Sequence, residues 1–105
     1  MLDMLKYKAV RDKVPIDEKE LVKFPDELYL YLLREKLEEE IREYKNGFNV
    51  EELGDIIEVY YRIAELQGIH NNLLNSKIND KHLAKGGFAF NSVWVKKENN
   101  GVFYE

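Results

Sequence analysis

Two stretches of this 105-residue chain repeat apolar residues at a helical interval, and only a few residues separate them. Each helical residue advances roughly 100°, so three or four steps return to the same side. In the first stretch Tyr29, Leu30, Leu33, Leu37, Ile41 and Tyr44 form one apolar stripe. In the second, Leu53, Ile56, Ile57, Val59, Tyr60, Ile63 and Leu66 form another. So short a connection forces an antiparallel hairpin, with the end of the first helix beside the start of the second. Asp26, after Pro25, is expected as a first-turn acid or as the cap of the first helix, which runs to about Tyr44 before Asn46 and Gly47 stop it. Asn49 is expected to cap the second, which ends near Gly68.

Neither stripe is purely apolar. Glu40 falls inside the first, with Glu43 on its shoulder and Glu39 just before it; Glu52 falls inside the second, with Asp55 at its edge. Packing the stripes together brings Glu40, Glu43, Glu52 and Asp55 into one cleft, where repulsion and desolvation forbid that all stay ionised without a counter-charge. A hard cation meets that need. Magnesium takes oxygen ligands, keeps several waters and binds beside substrate phosphates. The plainer alternative is a solvated acidic face, with Lys36 and Glu40, or Glu38 and Arg42, as helix-surface pairs worth roughly a few tenths of a kcal/mol each. Acids on the inward sides of two consecutive helices favour the cation, and Asp55 adds weight because Asp is a poor interior helix residue.

The remaining segments read more simply. Both prolines, Pro15 and Pro25, precede the first helix, in extended or turn structure with at most a short strand near Tyr7 to Val10. A third helix is expected from Asn71 or Asn72 to Lys85, with Leu73, Leu74 and Ile78 inward, His82 a further candidate for that side, and Gly86-Gly87 as its stop. Its other face is basic. Residues SVWVKK and GVFY flank Asn99-Asn100-Gly101 and point to a small terminal β-hairpin. The expected fold is a mainly α single domain over residues 1–105. Three helices do not comfortably bury two wide apolar faces, so hairpins from two subunits are expected to complete a four-helix bundle, in a homodimer at least.

Charge and composition bound the function. A net charge of −4 with interspersed signs argues against general nucleic-acid or anionic-membrane binding. The absence of cysteine removes disulfides, thiolate metal sites and a cysteine nucleophile, and is compatible with a reducing cytoplasm. No stretch approaches the roughly 20 apolar residues that span a bilayer, and a cytoplasmic location is expected. His70 and His82 are expected at helix boundaries and in packing, and Phe88, Phe90 and Trp94 in core or interface rather than stacked on a base.

Four blocks of the chain resemble the MazG-type all-α nucleoside triphosphate pyrophosphohydrolases, a superfamily that includes phosphoribosyl-ATP pyrophosphohydrolase. They are Val10-Arg11-Asp12-Lys13-Val14-Pro15, Lys36-Leu37-Glu38-Glu39-Glu40-Ile41-Arg42-Glu43, Glu52-Leu53-Gly54-Asp55 and Gly86-Gly87-Phe88. Their order and spacing are similar to those of a small house-cleaning subgroup over roughly residues 7 to 88. The resemblance implies magnesium-dependent (or manganese-dependent) cleavage of a nucleoside triphosphate between its α- and β-phosphates, giving a monophosphate and pyrophosphate. It implies Glu40, Glu43, Glu52 and Asp55 as metal ligands and Glu39 as the acid that orients or deprotonates the attacking water. Asn79, Lys81 and Lys85 match the family's phosphate-binding element on the third helix, and Arg11 and Lys13 form a second candidate cluster for the phosphates. The alternative for Arg11 is a structural pair with Asp12 or a helix acid. Two departures stand out: the interval from Glu43 to Glu52 is shorter than in most members, and Lys85 stands where arginine is commoner. Phosphoribosyl-ATP hydrolysis, or a catalytically silent helical interaction module, are the competing readings.

Overall fold

A computed structural model describes residues 6–13 and 21–95. Three α-helices lie among them: α1 (Asp26–Gly47), α2 (Val50–Leu66) and α3 (Asn71–Lys85). The described residues contain no strand, so Tyr7 to Val10 is not one, and 92–95 is irregular. The turn expected at Asn99-Asn100-Gly101 and the arm after it lie outside the described residues. None of the helices is long and apolar enough to cross a membrane.

The chain divides into two compact units, Met1–Asn71 and Asn72–Glu105. In the first, α1 packs on α2 through a two-residue connection, Phe48-Asn49. Asp26 and Glu27 lie in the first turn of α1, where carboxylates favour the positive end of the helix dipole. Gly47 does not stop α1 in the expected way; it remains helical, and Phe48 takes the left-handed conformation (φ 56°) with its N–H donating to the Tyr44 carbonyl at 2.6 Å. A T-shaped contact between the Tyr44 and Phe48 rings, 5.8 Å between centroids, helps hold this unusual residue there. Asn49 caps α2 as expected, its side-chain oxygen accepting from the Glu52 N–H at 2.9 Å.

The core lies toward the open end of the hairpin, away from the turn. Leu32 and Leu33 are buried on α1, and Tyr29, Val59, Ile63 and Leu66 pack around them. Residues about equally far from the turn on either side thus meet, as antiparallel packing requires. Ala9, 3% exposed, completes this core from the N-terminal segment, and Tyr7 lies against Phe24 with 4.7 Å between ring centroids. The stripe on α1 was drawn one position off in places: Leu32 is buried although it lay outside the pattern, and Ile41 is exposed. On α2, Ala64 is buried while Leu53, Ile57 and Tyr61 are exposed. The apolar surface of α2 is therefore wider than the single helix packed against it can cover.

The second unit contains almost all of α3. No α3 residue is buried; Leu73 and Ile78, expected inward, are exposed, because the helix lacks a narrow apolar stripe. Its ending follows the expectation. Gly86 is left-handed (φ 79°) and donates its N–H to the His82 carbonyl at 2.7 Å. A β-carbon on Gly87 would stand 2.9 Å from the His82 ring, which would have to turn aside. His82 ends up exposed at the helix boundary rather than packed.

Candidate functional site

The short α1–α2 connection fixes where the acids can go. Glu39, Glu40 and Glu43 occupy the last turns of α1, and Glu52 and Asp55 the first turns of α2. Glu40 is 5% exposed, the one buried charged residue of the described core. Its Oε1 receives Lys36 Nζ from the preceding turn at 3.2 Å, but its Oε2 is buried without a hydrogen-bond partner. Glu52 Oε2 is in the same condition. A β-carbon on Gly47 would lie 3.2 Å from that Glu52 oxygen, so the carboxylate rests against the last turn of α1. Orphaned carboxylate oxygens away from water are costly, and two of them at one hairpin elbow call for a cationic or hydrogen-bonding ligand.

Basic side chains meet part of the charge. Lys36 also approaches Glu39 at 3.7 Å, and Lys8 Nζ reaches Glu39 Oε1 at 2.6 Å. The hydrogen bond from Lys8 holds the Glu39 carboxyl below the usual 4.5 and raises Lys8 in return. Glu43 shows the opposite behaviour. Exposed, and facing Glu40 first and Glu39 next, its carboxyl is pushed above 4.5 by their negative charge together with desolvation. The three α1 acids therefore share one field although they differ in burial.

On α2, Asp55 is half-buried and accepts from Arg11 Nη2 at 2.6 Å, while Arg11 Nη1 also pairs with Glu58. The guanidinium thus bridges two carboxylates a turn apart, the second raising its affinity for the proton most. This is the structural pairing with a helix acid weighed above for Arg11. Asp55 and Glu58 line an open hollow of about 550 Å³ with Glu51, Gly54, Ile57 and Tyr61.

The hairpin sets every sequence-derived acid at its elbow, but among the described residues no three His, Asp or Glu side chains are disposed around one point as ligands to a metal ion. Lys36 and Arg11 take up carboxylates that a metal would need, Glu40 and Asp55, and Lys8 takes up Glu39. Lys13 is exposed, as are Asn79, Lys81 and Lys85 on α3, where the two lysines lie one turn apart. Sequence reasoning did not single out Lys8 or Glu58. For Lys8 a faint signal existed, since Lys8 and Arg11 bracket a small residue that can be buried, with cations at either side of it. Compared with protein-family models, with curated proteins and with solved structures, the chain matches none.

Proposed function

We propose that the hairpin elbow is a divalent-cation and nucleotide site, and that the protein hydrolyses nucleoside triphosphates to monophosphate and pyrophosphate, with non-canonical or surplus nucleotides as its substrates. The observation that carries the reading is Glu40: a buried carboxylate with one oxygen unpartnered, next to Glu39 and Glu43 and across the turn from a second orphaned oxygen on Glu52. An all-oxygen donor set of this kind suits magnesium or manganese. The four sequence blocks support the same reading, and they favour it over phosphoribosyl-ATP hydrolysis through the N-terminal Val10 to Pro15 block.

Glu40 and Glu43 from α1 and Glu52 and Asp55 from α2 would hold the cation, with substrate phosphate oxygens beside them. Bound there, the ion would supply charge neutralisation at the phosphates and a better leaving pyrophosphate. Glu39 would orient the attacking water. While Lys8 holds it ionised and weakly basic, orientation is its stronger contribution, and proton abstraction grows as that contact loosens. The water oxygen bonds to the α-phosphorus as the bond to the bridging oxygen breaks, its electron pair leaving on pyrophosphate and the water proton passing to Glu39 or solvent. Arg11 and Lys13 are the basic groups assigned here to the outer phosphates; the resemblance alone adds Asn79, Lys81 and Lys85 of α3.

The exposed Leu53, Ile57 and Tyr61 on α2 support a homo-oligomer in which a second hairpin covers that face. Pyrophosphate release from a nucleotide panel, with and without magnesium, tests the activity. Glu40→Gln and Asp55→Asn are each expected to lose magnesium-dependent turnover by about 100-fold or more while keeping their helical circular dichroism. Wild-type rates in both variants would place the chemistry elsewhere.

A further inference from the structure

Val50, Leu53, Gly54 and Ile57 stand at i, i+3, i+4 and i+7 of α2, the four positions that bound one hole on a helix surface. Tyr61 follows one turn later as a knob. The four large side chains are all exposed, Tyr61 at 50%. Gly54 is the floor of the hole: a β-carbon there would meet nothing within 4 Å, although a glycine inside a helix is destabilising relative to alanine. No neighbour within the described residues calls for its missing side chain. A bulky ring arriving from outside does, and Gly54, Ile57 and Tyr61 already border the hollow on this face. Charge sets the direction of approach. Glu51, Asp55, Glu58 and Arg62 recur at steps of four, three and four residues along one edge of the same ridge. A two-fold axis across the helices at Ile57 brings that edge of one copy against the same edge of a second, so Glu51 meets Arg62 and Asp55 meets Glu58. The first contact is attractive, and Arg62 leaves only an exposed pair with Glu65 to make it. The second joins acids that Arg11 already spans. A parallel pair would set the charged edge against the apolar Leu53 side instead.

We propose that two copies of this chain pair through α2, antiparallel and centred on Ile57, with Tyr61 of each copy filling the hole over Gly54 of the other. This pairing rests on the homo-oligomer proposed above and not on the chemistry assigned to the elbow. The test is sedimentation velocity of the full chain over a concentration series, which reads the dimer dissociation constant. Gly54→Leu fills the hole from within, where the protomer has room for it, and is expected to raise that constant about 10-fold or more with helical circular dichroism kept. Glu51→Arg sets a like charge against Arg62 of the second copy and is expected to raise it about 5-fold; adding Arg62→Glu is expected to return it to within about 2-fold of wild type. Unaltered dissociation in Gly54→Leu overturns the pairing, and a double substitution that does not recover overturns its antiparallel register. If Gly54→Leu does not fold, Ile57→Cys decides, because the chain has no cysteine of its own. Mild oxidation is expected to link Ile57→Cys into a disulfide dimer, since the axis sets the two side chains together, and to leave Lys45→Cys on α1 unlinked. Equal linking at both positions, or none at Ile57→Cys, overturns the pairing. A wild type that is monomeric at every concentration removes the homo-oligomer and this pairing together, whereas a dimer unmoved by Gly54→Leu removes the pairing alone.

Discussion

Among single residues, Glu43 carries the clearest electrostatic cost. Its carboxyl titrates above the ordinary 4.5 because Glu40, then desolvation and Glu39, resist its ionisation. An acid whose folded pKa is raised binds its proton more tightly in the folded state, so the fold is favoured below the unfolded value and loses that advantage as pH rises through the folded one. Glu43→Gln is therefore expected to raise the melting temperature at neutral pH in the presence of a chelator, and to bring no gain below 4.5. Thermal unfolding followed by circular dichroism at both pH values checks this, and an equal gain at each would contradict the electrostatic cause. The burial of Glu40 was legible in the sequence because its place on the apolar stripe follows from helical period alone. The identity of the counter-charge was not. Lys8 lies 31 positions from Glu39, and no periodicity connects residues so far apart.

At the level of elements, the hairpin follows from its ends. Asn49 satisfies one of the N–H groups that the first turn of α2 leaves open, and its side chain also lies close to where a β-carbon on Gly47 would stand. Asn49→Ala is expected to cost about 1 kcal/mol of unfolding free energy, read by urea denaturation, and a loss near zero would show that water replaces the cap. The α2 start and the α3 stop were read correctly because caps and left-handed glycines are local chemistry. The end of α1 was misread for an instructive reason. Asn46 and Gly47 are expected to stop α1, but both stay helical, and Phe48 takes the left-handed position, where its ring meets that of Tyr44. On α3 a stripe of Leu73, Leu74 and Ile78 is expected inward, but Leu73 and Ile78 are exposed and Leu74 only half-buried, because the apolar residues are spread round the helix.

For the molecule as a whole, the exposed ridge on α2 is the main unmet requirement. Val50, Leu53, Ile57 and Tyr61 follow one another at helical intervals and all remain open to water. Light scattering coupled to size exclusion is expected to report a dimer or larger assembly, and Ile57→Glu to shift it toward monomer with helicity kept; a monomeric wild type would remove the proposed second hairpin. The breadth of the apolar arc on α2 is visible in sequence, while the part of it that stays exposed depends on which side of α2 the Leu32 and Leu33 pair takes. The hollow that Ile57 and Tyr61 border also contains Asp55 and Glu58. Covering it would strip water from the ion pairs made there and lower the local dielectric, so that dilution of the protein would be felt as a change in the strength of a charge contact rather than only as loss of apolar burial.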